Sequence, residues 1–127
     1  MCGIAGIYTK QDHLLKDAKT LYRMKEAMRH RGPDDSGVEI IKSYGVGLVH
    51  NRLSVIDLSA AGHQPMWNED HSIGLVFNGE IYNFQEIRRE LENLGFKFKS
   101  RTDTEVILHG YEAWGKEVLE KLNGMFA

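Results

Sequence analysis

The one cysteine of the chain is its second residue. Cys2 stands between Met1 and Gly3, and cells remove an initiator methionine when the next side chain is small. Removal leaves Cys2 with a free α-amine within reach of its own thiol. A general base then comes built in, and no histidine is needed to activate the sulfur. This is the N-terminal-nucleophile form of acyl transfer. The plainer reading is a small apolar residue at the start of a strand. With Met1 retained the nitrogen is an amide and no base, so an unprocessed chain is expected to turn over negligibly.

Asn78-Gly79 carries a second possibility. A side-chain amide and a backbone N–H can donate together to a tetrahedral oxyanion, a device worth about 3 kcal/mol. Asn-Gly is also the preferred two-residue hairpin turn. Arg52 interrupts an otherwise apolar stretch, where a guanidinium must reach solvent on an exposed strand face, pair internally, or clamp an anion such as a ligand carboxylate. Glu80 reads as a surface acid and Asp103 as a first-turn helix acid favoured by the macrodipole. The six histidines show no metal-ligand spacing, so no metal site is expected. The glycines form neither GxGxxG nor a P-loop. A single cysteine excludes an internal disulfide and every multi-cysteine zinc or iron–sulfur centre.

These side chains need a scaffold, and 127 residues suffice for one domain with a real core. The chain is 42% hydrophobic and 27% charged, with a net charge of -2, ordinary for a globular domain. Near-neutral charge argues against a nucleic-acid or membrane-surface partner, both of which need a basic footprint. No apolar run approaches the ~20 residues of a membrane span, and MCGIAGIYTKQD lacks the basic and long apolar regions of a secretory signal. The expected compartment is the cytoplasm.

Gly3 to Tyr8 reads as a strand. Leu14, Ala18, Leu21, Met24 (or Lys25) and Met28 recur at helical spacing, and that helix should end near His30 because Gly32-Pro33 cannot continue it. Strands are predicted over Gly37 to Lys42, Gly45 to Leu53 and Ser72 to Phe77, with turns at Ser43-Tyr44, Ser59 to Gly62 and Asn68 to His71. Asn83 should cap a helix running through Leu94, with Gly95 as a left-handed stop. Thr102 repeats the capping logic for a helix through Trp114, closed by Gly115. A short helix, Glu117 to Leu122, precedes Asn123-Gly124-Met125-Phe126-Ala127, which looks like the opening of another strand. Hairpin-like strands with helices clustered apart predict the α+β class.

Taken together, CGIAGI from Cys2, RHRGPDDSG from Arg29, HNRLSVIDLSAAGHQPM from His50, FNGEIYNFQEIRRELENLGFKFKSRTDTEVILHGYEAWG from Phe77 and the final LNGMFA resemble a known family. They are similar to the N-terminal glutaminase domain of glutamine-dependent asparagine synthetases, class II glutamine amidotransferases among the N-terminal-nucleophile hydrolases. The resemblance covers nearly the whole chain. The HxRLSVIDLS and FNGEIYN blocks set it apart from relatives that make glucosamine phosphate or phosphoribosylamine.

The resemblance implies a sandwich of two antiparallel sheets between helical layers, continuing in the family past LNGMFA into further strands. It implies Cys2 as the nucleophile on the carboxamide of L-glutamine, with its α-amine as base. Asn78 and Gly79 match the oxyanion hole, and Arg52 the clamp on the substrate carboxylate. Glu80 and Asp103 match the acids on the substrate amino group, and the backbone from Leu53 to Ile56 the pocket lining. Arg31 and Asp34 read as structural support. No cofactor is implied within these residues; ATP and magnesium belong to a synthetase domain that would amidate aspartate with the released ammonia. Missing strands would leave an unpaired sheet edge, which invites a homodimer or strand exchange. The rival readings are a non-catalytic binding or assembly module and an amidotransferase serving another carboxylate acceptor.

Overall fold

Short apolar stretches separated by turns build a three-stranded antiparallel sheet from β1 (Gly3–Tyr8), β2 (Asp35–Ile41) and β3 (Val46–Arg52), in the order β1-β3-β2. The computed structural model describes residues 2–10 and 18–127. Val49 lies opposite Ala5 on one side and Val38 on the other, so these side chains share a face. Onto that face packs α1 (Lys19–Ala27), whose Leu21 forms a fully buried pair with Val49, surrounded by Ile7, Met24, Met28 and Ile40. Residues 14–17, where the helix is predicted to begin, lie outside the described residues. α1 also ends before His30, passing into a 3-10 turn over Arg29–Arg31. Gly32 follows because a Cβ there would overlap the backbone of Asn51 and Arg52.

β1 has its predicted limits. β2 begins two residues before Gly37, since Asp35 and Ser36 pair with Arg52 and Asn51; ladder bonds extend it where hydrophobicity gives no sign. Between β2 and β3 the turn closes on Gly45, which adopts φ 65°.

The chain forms two compact units, one of residues 1–54, 63–65 and 76–78, the other of residues 55–62, 66–75 and 79–127. In the second, the strand predicted over Ser72 to Phe77 contracts to β5 (Gly74–Leu75), which pairs with an unpredicted β4 (Met66–Trp67). The β4–β5 loop is closed by the Asn68 carboxamide, which accepts the Ile73 N–H at 2.9 Å and donates to Ser72 at 3.0 Å. β6 (Gly79–Ile81) pairs with β7 (Gly124–Phe126), so the strand expected at the end of the sequence is present. Asn78-Gly79 is therefore not a hairpin turn. β5 pairs with β4 and not with β6, and His71 is the only non-glycine residue at positive φ among those described, whereas a type I′ turn needs positive φ at both positions.

α2 (Phe84–Asn93) buries Ile87 and Leu91, and Gly95 stops it at φ 98°. Asn83 precedes this helix without capping it through its side chain. Its carboxamide instead donates to the Lys121 carbonyl and accepts the Asn123 N–H, both at 2.9 Å. α3 (Asp103–Trp114) is capped as predicted, Thr102 Oγ1 accepting the Glu105 N–H at 3.3 Å and Gly115 following at φ 58°. The last predicted helix divides into a 3-10 turn, Gly115–Glu117, and α4 (Val118–Lys121). All strand pairs are antiparallel, which with the separate helices is the α+β class. Among the described residues no helix is long and apolar enough to cross a membrane.

Candidate functional site

Cys2 heads β1, where the Gly3–Asn51 register, continued by one residue, sets it level with Arg52. Two contacts fix it. Arg31 Nε donates to the Cys2 carbonyl oxygen at 3.0 Å, and the sulfur lies against the Leu53 peptide, whose N–H donates to Sγ at 3.4 Å. Asp34 accepts the Ser54 N–H at 2.8 Å and so holds the chain just after Leu53. Arg31 and Asp34 thus do the supporting work read from the RGPD turn.

Arg52 is not on an exposed strand face, since only 6% of its surface is accessible. It ends β3 opposite Asp35, on the face away from α1. Burial alone would raise the Asp35 pKa, but the His63 hydrogen bond at 2.7 Å, the imidazole's charge, the Ser36 N–H and the Arg52 charge together hold it below the usual carboxylate range.

Two residues earlier on the same face is His50, fully buried. Burial pushes its pKa down to about 4, so the ring is neutral at pH 7. Its Nε2 lies 3.2 Å from the Phe77 carbonyl oxygen, which can only accept, so Nε2 carries the proton. The Phe77 N–H donates to Gln64 Oε1 at 2.6 Å. Asn78 comes next in the chain, and its Oδ1 is buried without a hydrogen-bond partner among the described residues.

In the second unit, a Cβ on Gly79 would overlap the Met125 carbonyl and Phe126, so the close approach of β7 by itself requires glycine. Glu80 is exposed, as read from sequence. Asp103 is buried to 5% exposure and accepts the Ile81 N–H at 3.0 Å. Burial raises its pKa and the Glu80 charge adds to the rise, against the Ile81 and Thr104 N–H groups. The structure therefore brings the two acids into electrostatic contact. Leu53 and Ile56 are 37% and 40% exposed.

Several supporting residues have no local signature in the sequence. Asp57, directly after Ile56, accepts the Arg101 N–H at 2.9 Å. Glu105 accepts the Lys99 and Ser100 N–H groups at 2.8 and 2.7 Å and the Ser100 hydroxyl at 2.7 Å. Both act on the turn that leads into Asp103. For Gln64, flanked by His63 and Pro65, the sequence carries no sign at all, and for His50 the only sign is a polar residue after the apolar Leu48 and Val49. Among the described residues no group of three or more His, Cys, Asp or Glu side chains is placed to hold a metal ion. Taken unit by unit, the chemistry on offer is a cysteine anchored at its carbonyl and its sulfur, a buried guanidinium on the neighbouring strand, and, in the second unit, a buried carboxylate in electrostatic contact with an exposed one.

Residues 1–127 match the family model described as a glutamine amidotransferase domain. The whole chain is 39% identical to asparagine synthetase [glutamine-hydrolyzing] 2 of Oryza sativa subsp. japonica, covering 21% of that protein. It is 40% identical to putative asparagine synthetase [glutamine-hydrolyzing] 2 of Methanocaldococcus jannaschii, covering 27% of it, and 38% identical to asparagine synthetase [glutamine-hydrolyzing] 3 of Bacillus subtilis, covering 20%. The chain thus spans about a fifth to a quarter of the length of these relatives.

Proposed function

The chain belongs to the glutamine amidotransferase domain family, and on that premise we propose that it hydrolyses L-glutamine to glutamate and ammonia through Cys2. The sulfur attacks the carboxamide carbon while the Cys2 α-amine, freed by loss of Met1, takes the thiol proton. Asn78, through its side-chain amide, and Gly79, through its N–H, donate to the oxyanion of the tetrahedral intermediate. The C–N bond then breaks, the α-amine returns its proton to the leaving nitrogen, and ammonia departs. Water attacks the resulting γ-glutamyl thioester by the same route in reverse, releasing glutamate and restoring the thiol.

The substrate is a zwitterion and needs a cation and an anion at fixed separation. Arg52 takes the α-carboxylate; Glu80 and Asp103 take the α-ammonium; the backbone from Leu53 to Ile56 lines the pocket. In the complete protein the ammonia passes to ATP-dependent amidation of aspartate; the relatives are named glutamine-hydrolyzing asparagine synthetases. The fold we assign is the two-sheet sandwich of the N-terminal-nucleophile hydrolases.

The observation that carries this reading is the double anchoring of Cys2, by Arg31 at its carbonyl and by the Leu53 peptide at its sulfur. A cysteine serving only as apolar filling needs neither. The test is covalent labelling with a diazo-ketone analogue of glutamine, followed by intact mass and a glutaminase assay. We expect one label on Cys2, protection by glutamine, and loss of hydrolysis by on the order of 10³-fold or more in Cys2→Ala. Turnover surviving in Cys2→Ala, or label on another residue, overturns it.

A further inference from the structure

Residues 76–78 run between β5 and β6 outside any strand. A buried peptide in such a place still needs partners for its N–H and C=O. Phe77, 5% exposed, finds both in side chains remote in sequence. Gln64 Oε1 accepts its N–H at 2.6 Å and His50 Nε2 donates to its carbonyl at 3.2 Å. Both side chains are themselves buried, at 4% and 0% exposure, so neither can trade its bond for water.

We propose that His50 and Gln64 are positioning residues that orient the Asn78 carboxamide by clamping the peptide immediately before it. This rests on the reading of Asn78 as an oxyanion donor. Asn78 Oδ1 has no hydrogen-bond partner among the described residues, so no bond at that oxygen holds the amide, and the clamped backbone sets the point from which the side chain extends. That backbone is referenced to β3, because His50 sits on this strand two residues before Arg52 and on the same face. Gln64 is seated by the same sheet: a Cβ at Gly37 of β2 would overlap the Gln64 carbonyl. One strand thereby sets the position of the guanidinium directly, of the sulfur through the adjoining Leu53 peptide, and of the Asn78 donor through the clamp. Transition-state donors must be held to fractions of an ångström, and about 1 Å of misplacement costs on the order of 10²-fold.

The decisive experiment is steady-state glutamine hydrolysis by the complete protein, with rates normalised to the Cys2 that the diazo-ketone analogue titrates. Gln64→Met and His50→Phe, which remove the bonds at near-constant volume, should lower kcat by roughly 10- to 100-fold with KM within about threefold. Gln64→Glu and His50→Gln, which keep an acceptor and a donor, should return kcat to within about fivefold of wild type. Asn78→Ala alone should lose on the order of 10²- to 10³-fold, and Gln64→Met added to it should cost less than about threefold more. Where His50→Phe does not fold, the Gln64→Met and Gln64→Glu pair decides alone. Near-normal turnover in Asn78→Ala would overturn the oxyanion reading itself. An impaired Asn78→Ala with an unimpaired Gln64→Met, or with a Gln64→Met loss that adds in full or falls on KM, would overturn the positioning role.

Discussion

Asp103 is a carboxyl group made harder to ionise by its burial and by the Glu80 charge beside it. In the proposed role it must be ionised to hold the substrate ammonium. It takes up a proton at higher pH than an ordinary carboxylate, so glutamine binding should weaken on the acid side before other carboxylates titrate. KM is expected to rise as pH falls through the Asp103 pKa while kcat changes less. Asp103→Asn should start with KM raised by on the order of 10-fold and show no such acid rise. A pH series of KM for both proteins checks this; parallel profiles would remove Asp103 from the ammonium site. Cys2 and Arg52 could be singled out in the sequence because each is chemically out of place among its neighbours, whereas Asp103 read alone is an ordinary first-turn helix acid and was marked only by the family resemblance. His50, Gln64 and Asp57 could not, because each acts on a backbone group far along the chain, and sequence spacing carries no trace of such a partner.

The turn into α3 shows what local reading captures and what it misses. Thr102 and Gly115 were legible as cap and stop because capping is a short-range interaction. Glu105 gathers the Lys99 and Ser100 N–H groups and the Ser100 hydroxyl, partners upstream of the cap that no local rule names. Burial would raise its pKa, but His109, the Lys99 N–H and Ser100 pull it down to about 2. At 5% exposure, truncation strands these donors, so Glu105→Ala should cost about 2–4 kcal/mol of unfolding free energy at pH 7. The Glu105 contribution is complete above its unfolded pKa of about 4.5 and fades as pH falls toward about 2. Urea unfolding of both proteins at pH 7 and near pH 3 should therefore show the gap narrowing. Asn78-Gly79 failed as a hairpin for the opposite reason: the partner strand β7 comes from the far end of the sequence, and a dipeptide cannot announce a distant partner.

For the molecule as a whole, the α+β class and antiparallel strands were legible from hydrophobic patterning and turn chemistry. The β4–β5 pairing and the division into two units depend on which strands meet, and patterning does not specify that. Acid sensitivity is a property at this scale. An unfolded His50 takes up a proton near pH 6.5, whereas the folded one waits until about 4. The unfolded state binds more protons between those values, so stability from this group falls as pH drops through that window, by about 3 kcal/mol at most. His109, whose pKa is raised chiefly by Glu105 and then by Glu112 against burial, acts in the opposite sense, so the difference between proteins is the useful quantity. Wild type should lose more unfolding free energy than His50→Gln between pH 7 and pH 4.5 in urea titrations. Equal losses would mean that His50 is not buried in its neutral form.

The two anchors on Cys2 act at its carbonyl oxygen and its sulfur, and neither is the backbone nitrogen. Proteolytic trimming ahead of Cys2 leaves both in place. If Cys2 is the nucleophile as proposed, maturation would be a deprotection rather than a rearrangement, unmasking the base by cutting the peptide bond before Cys2 without disturbing the contacts that hold it.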